Sequence, residues 1–331
     1  MISMKDVAKR CGVSVATVSK ALNNHSDISE NTRERIKQIA DELGYHPNSV
    51  ARALKTNRSY NIGVLLNDGL AHEYFAEVLE SFRAEAEIKG YDITFISNYS
   101  KKMSLLENCM YRRFDGVLLA CCADFNNPEI MELVNGKLPL VTIDYIFNGR
   151  TSVNSNNVRG MSELVRFAYN KGHRRIAYIH GNPESQVTKE RLASFYKTME
   201  DFGMEVPAEY IKSSKYLDSE KAEELTYELL QLNNPPTCIF YPDDLSVVGA
   251  RNAARAMKLK IPKDLSVAGY DGTRFSQMLS PKITTISQNT KEVGRTAADE
   301  LISAIENPKA TIIKRIVVDG ELIEGETIKK L

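Results

Sequence analysis

Several features common in chains of this size are missing. No run approaches the ~18 apolar residues that a membrane helix needs, and the N-terminus MISMKDVAKR lacks the apolar core of a signal peptide. Both point to a cytoplasmic protein with no membrane partner. The five cysteines show neither metal-ligand nor disulfide spacing. They read as reduced thiols, with the adjacent Cys121 and Cys122 at the end of a strand; a redox-sensing pair is the alternative. No G-x-G-x-x-G, G-x-S-x-G or Walker A sequence occurs. The expectation is therefore a protein that is not an enzyme and needs no cofactor or metal.

Net charge is also absent, since 43 Lys plus Arg balance 43 Asp plus Glu. The balance hides an asymmetry. Residues 1–60 carry ten Lys plus Arg against six Asp plus Glu, and residues 61–331 carry 33 against 37. A basic end on an acidic body is the pattern of a nucleic-acid reader joined to something else, and DNA binding should fall steeply with salt.

The basic end has its own periodicity. A first helix begins after Ser3, with Asp6 in its first turn, Met4, Val7, Ala8 and Cys11 on one stripe, and Gly12 as terminator. Ser14 caps a second helix, on which Val18, Ala21 and Leu22 share a buried arc. Val15, Ala16, Ser19, Lys20 and Asn23 share the opposite arc, with Thr17 beside them, and that small, hydrogen-bonding face suits a major groove. A third helix after Ser29 turns Ile36, Ile39, Ala40 and Leu43 inward and Arg33, Arg35 and Lys37 outward. The next segment starts at Pro47, and its helix-forming interior, Ser49 to Leu54, is too short to be stable alone. Paired in a dimer on DNA, two copies could present Leu54 as a minor-groove wedge.

DVAKRCGVSVATVSKALN, then TRERI, then GYHPNSVARALKTNRS resembles the headpiece and hinge of the LacI/GalR family of bacterial regulators. The resemblance continues through NKGHRRIAYIHG, RLASF, VAGYD and SPKITTISQ, and so covers nearly the whole chain. It implies a repressor acting as a homodimer on a pseudo-palindromic operator in double-stranded DNA. Recognition helices would lie about one turn (~34 Å) apart, with the hinge pair between them. Val15, Ala16, Thr17, Ser19, Lys20, Asn23, Asn48, Ala51, Arg52 and Leu54 are the expected DNA contacts. Lys20 stands where many members carry Arg, so a bidentate guanine contact becomes a single-point one.

From Asn61 onward, near-continuous apolar strands alternate with amphipathic helices, which predicts an α/β body with parallel sheets. The rhythm starts again after Asn156, so two lobes around a cleft are expected, closing by a hinge as periplasmic sugar-binding proteins do. The family's crossovers imply a headpiece at 1–46 and a hinge at 47–60. They imply a first lobe from 61–158 plus 291–319, and a second from 159–290 plus 320–331.

Ligands in such sheets sit at the carboxyl ends of the strands. The polar residues there, Asp144, Asp243, Asp271 and Gln288, are candidate contacts to a small effector. With them go Arg191 in RLASF, Tyr74 and Phe75 at the start of the first body helix, and Tyr216 in YLDSE. Carboxylate, amide and guanidinium groups bind vicinal hydroxyls in pairs, and aromatic faces cover a pyranose ring, so a carbohydrate inducer is the leading expectation. Asp243 stands where an Asn is frequent, and Ser185 where purine-responsive members have Arg. The alternative is a catabolite or global regulator whose corepressor is a nucleobase or a phosphorylated carrier protein.

Overall fold

The computed structural model describes residues 2–22, 25–45, 53, 56–65, 72–96, 103–120 and 127–331. Asn23, Asn48, Ala51, Arg52 and Leu54 lie outside the described residues, as do Cys121 and Cys122. The chain forms two compact units, Met1–Ser59 and Tyr60–Leu331.

The first unit is a three-helix bundle of α1 (Met4–Cys11), α2 (Val15–Leu22) and α3 (Glu30–Glu42). The Ser3 backbone N–H donates to the Asp6 carboxylate at 2.8 Å, fixing the start of α1. Gly12 ends it at φ +67°, a conformation that costs a residue with a Cβ about 1 kcal/mol. Thr17 N–H then donates to Ser14 Oγ at 3.0 Å and starts α2. Val7, Ala8, Cys11, Val18, Ala21, Ile36, Ala40 and Tyr45 form a small core. Burying Val18 alone contributes roughly 1.5–3 kcal/mol. Arg35 donates to the Cys11 carbonyl at the end of α1 (3.1 Å). Arg33 departs from its expected outward position: it folds back onto the carbonyls of His25 and Ile28 at 3.0 and 3.1 Å, satisfying acceptors that the 25–28 loop leaves open.

The second unit holds two parallel sheets. In the first, β1 (Asn61–Leu65), β2 (Asp92–Ile96), β3 (Gly116–Leu119), β4 (Leu140–Ile143), β5 (Thr151–Ser155) and β11 (Arg315–Val318) run in the order β11-β5-β4-β3-β1-β2. In the second, β6 (Ile176–His180), β7 (Ile211–Ser213), β8 (Cys238–Phe240) and β9 (Ser266–Ala268) run in the order β7-β6-β8-β9. Bridges from Ala268 to Thr284 and from Asp271 to Ser287 continue it toward β10 (Thr285–Ser287). β10 pairs antiparallel with β12 (Glu321–Ile323). The chain therefore crosses between the sheets three times, after β5, after β10 and after β11. Each sheet has one core on either face, as the apolar strands require.

In both sheets the strand order reverses direction beside the first strand, β1 in one and β6 in the other. Such switch points open a crevice at the carboxyl ends of the strands. Two strands are absent from the hydrophobic pattern. TSVNS (β5) is polar yet buried, because it sits between β4 and β11. IKS (β7) is a short edge strand. The helix holding Arg191 also begins earlier than its apolar stripe, at Gln186.

Candidate DNA-reading surface and effector cleft

On α2 the predicted reading face is the accessible one: Val15 is 40% exposed, Ala16 and Lys20 are exposed, and Thr17 and Ser19 half-buried. Opposite them Val18 and Ala21 are fully buried. Thr17 Oγ1 lies 2.8 Å from Ser14 Oγ. The Lys20 ammonium donates to the Asp27 carboxylate in a pair about half exposed on both sides. Solvent screens such a pair, so Lys20 is readily exchanged to a DNA acceptor.

The second body holds a polar cluster between its two sheets. Arg191, on the Gln186–Asp201 helix, is 2% exposed. Its Nε donates to Asn157 Oδ1 at 2.9 Å, its Nη1 donates to the Pro242 carbonyl at 3.0 Å, and the guanidinium lies over the Tyr270 ring, 3.5 Å from its centre. Nη2 stands 4.0 Å from Asp271 Oδ1, beyond hydrogen-bond distance. Gln288 Nε2 donates to that same oxygen. Tyr216 covers this side: its hydroxyl is 2.8 Å from Thr188 Oγ1, and a Cβ at Gly181 would fall 2.5 Å from its ring.

The facing wall comes from the first sheet. Tyr74 OH donates to Asp144 Oδ2 at 2.9 Å and lies 3.3 Å from Ser155 Oγ, while Ser155 N–H donates to Asp144 Oδ1 at 3.3 Å. Each wall presents a carboxylate just after a strand at positive φ, +62° for Asp144 and +104° for Asp271. Such backbone costs of order 1–3 kcal/mol and gathers at functional sites. Burial raises the carboxyl pKa of Asp144 and Asp243, and that of Asp271 well above the usual range, while Arg191 opposes the rise at all three. One guanidinium, charged at any working pH, is thus shared among three buried carboxyls.

Two expected contacts also have structural partners of their own. Phe75 belongs to the first lobe's core, 9% exposed. Asp243 accepts from Leu217 N–H and Ser246 N–H, both at 2.8 Å, and from Ser246 Oγ at 3.0 Å, which ties down the turn before the Val247–Ala256 helix. Ser155, Asn157, Tyr270 and His72 join this cluster without a sequence pattern that singles them out. Tyr270 sits beside Asp271, and His72 two residues before Tyr74; neither belongs to an apolar stripe. Among the described residues no cluster of His, Cys, Asp or Glu could hold a metal ion, and no helix is long and apolar enough to cross a membrane.

The comparisons with known proteins agree with both units. Residues 3–48 match the model for bacterial regulatory proteins of the lacI family, and residues 165–328 match a periplasmic binding protein-like domain. A probable HTH-type transcriptional repressor, ExuR of Bacillus subtilis, is 30% identical over 341 residues, spanning 100% of this chain and 99% of the relative. The chain belongs to the LacI family. The HTH-type transcriptional repressor PurR of Escherichia coli is 32% identical over 335 residues, covering 99% and 97% of the two chains. The Lac repressor dimer bound to operator and the anti-inducer ONPF superposes with a TM-score of 0.81 at 25% identity, over 99% of both chains. As a LacI-family transcriptional repressor, the protein has a helix–turn–helix DNA-binding region and a two-lobed α/β domain.

Proposed function

We propose that this repressor is a homodimer on a pseudo-palindromic operator, released or retained according to a carbohydrate held between the lobes. In this reading residues 1–46 are the headpiece, 47–60 the hinge, 61–158 plus 291–319 the first lobe, and 159–290 plus 320–331 the second. Val15, Ala16, Thr17, Ser19, Lys20 and Asn23 read the major groove, with Asn48, Ala51, Arg52 and Leu54 at the hinge.

The observation that carries the effector assignment is the slack around Asp271. Its carboxylate lies 4.0 Å from the Arg191 guanidinium, with neither group at full hydrogen-bonding capacity. A vicinal diol fits that need, donating both hydroxyls to Asp271 and accepting from Arg191. Gln288 and Tyr216 complete the second-lobe wall, and Tyr74 with Asp144 forms the first. An anionic ligand would enter a site where three carboxyls already share one cation, which favours a neutral polyol. Dimerisation is supported by exposed apolar groups: Phe95 (48% exposed) on edge strand β2, and Met110 (61%) and Tyr111 (77%) on the Leu105–Tyr111 helix.

The test selects operators from random duplexes with the full-length protein, then repeats binding in d-glucose, d-galactose, d-xylose and cellobiose. The expected result is a pseudo-palindromic site whose affinity changes at least fivefold with one saccharide, a coupling of ~1 kcal/mol or more. A selected site without two-fold symmetry would overturn the dimer, and indifference to all four would overturn the carbohydrate.

A further inference from the structure

His72 immediately precedes the Glu73–Ile88 helix, and its ring is set edge-on between Tyr74 and Phe75, with ring centres 6.0 and 5.4 Å away. Its side chain is 14% exposed. Nε2 points across the cleft at Asp271 Oδ2, 3.7 Å away, while Nδ1 is buried with no hydrogen-bond partner among the described residues. Buried imidazole nitrogens are ordinarily partnered, so both nitrogens of this ring are underused. A distance of 3.7 Å is too long for a direct hydrogen bond. Two bonds of ~2.8 Å meeting at one oxygen span about 4.6 Å, so opening the cleft by about 1 Å would admit a single hydroxyl between the two groups.

We propose that His72 is a specificity-determining residue of the cleft, donating Nε2–H to the same effector hydroxyl that Asp271 accepts from. One hydroxyl then binds both lobes at once, first lobe through His72 and second lobe through Asp271. This rests on the carbohydrate reading of the cleft, and it adds a requirement that reading does not contain. The bridging hydroxyl must be placed to donate one way and accept the other, so epimers differing there are discriminated. A site that hydrogen-bonds a substrate hydroxyl rejects analogues lacking it far more strongly than an apolar pocket can. It also gives cleft occupancy a direct mechanical link between lobes, because replacing the 3.7 Å gap with a bridging atom fixes their separation.

Calorimetric titration of the full-length protein with d-glucose, d-galactose, d-xylose and cellobiose tests this with three variants. Gln at position 72 can place an amide N–H near the Nε2 position, Asn only near Nδ1, and Phe keeps the ring without a donor. His72→Phe and His72→Asn are expected to weaken the preferred saccharide at least tenfold, whereas His72→Gln stays within about threefold of the parent. His72→Phe should also flatten the ratio of glucose to galactose affinity. Unchanged binding by His72→Phe would overturn the role of His72 and leave the carbohydrate cleft standing. Equal losses in all three variants, with lowered melting temperatures, would make His72 structural and overturn it too. Failure of the parent protein to bind any of the four saccharides would remove the carbohydrate reading and this assignment with it.

Discussion

The two walls of the cleft use similar residues in opposite ways. In the first lobe Tyr74, Asp144 and Ser155 bond one another at 2.9 to 3.3 Å. In the second, Arg191 and Asp271 face each other at 4.0 Å, with His72 reaching Asp271 only to 3.7 Å. Both walls hold an aspartate at positive φ after a strand, so backbone geometry does not separate them. What separates them is satisfaction. A closed set of hydrogen bonds resists entry of a ligand that must break it, whereas loosely engaged charges gain when a hydroxyl fills the gaps. On the proposed reading, Tyr74, Asp144 and Ser155 are a preformed surface, and the groups around Asp271, His72 included, are those whose energy changes on binding.

The largest effect expected from this contrast is at Arg191. Replacing it with Met leaves Asp271 and Asp144 buried without their shared cation, and should destabilise the second unit by about 3–5 kcal/mol in urea unfolding. Adding Asp271→Asn removes one of the stranded charges, so the double variant should lose less than the sum of the singles. Additive losses would mean that the 4.0 Å separation is no interaction at all. His72 gives the next effect. Burial, assisted by the Arg191 charge, lowers its pKa from 6.5 to about 4. The folded state therefore binds fewer protons than the unfolded one, and its stability falls as pH drops from about 6.5 toward 4. Relative to His72→Gln, the parent should lose up to ~3 kcal/mol across that window. Parallel stability curves for the two proteins would show that the ring is not held in a dry site. At Gly181, Ala would place a methyl 2.5 Å from the Tyr216 ring. The ring must swing out of the cleft, with a cost of about 1–3 kcal/mol that should show as saccharide affinity lost at least fivefold.

Much of this was legible because it rests on periodicity and capping. Ser3, Gly12 and Ser14 bound the first two helices wherever the rest of the chain goes, and buried parallel strands announce themselves as apolar runs. The misses share a cause. TSVNS is a central strand without apolar alternation, and its polar atoms serve the cleft: Ser155 bonds Asp144 through its backbone N–H. Helix phase points Arg33 outward because it says where a side chain starts, not where a long one ends; its guanidinium reaches back to loop carbonyls five and eight residues away. The strand-end rule picked out Asp144, Asp271 and Gln288, which the structure brings to the cluster between the sheets. The same rule picks out Asp243, which also accepts from the backbone of a turn, and does not reach His72, which precedes a helix.

The smallest predicted effect bears most directly on the contrast between the walls. Tyr74→Phe removes the hydroxyl that donates to Asp144 while keeping the ring, leaving that carboxylate its bond from Ser155 N–H. If the first wall is a self-contained surface, the loss is one buried hydrogen bond, about 1 kcal/mol of stability, and saccharide affinity moves less than threefold. Calorimetry and urea unfolding on the same variant separate the two quantities. A tenfold loss of affinity with stability unchanged would reverse the assignment, making Tyr74 a direct ligand contact beside His72.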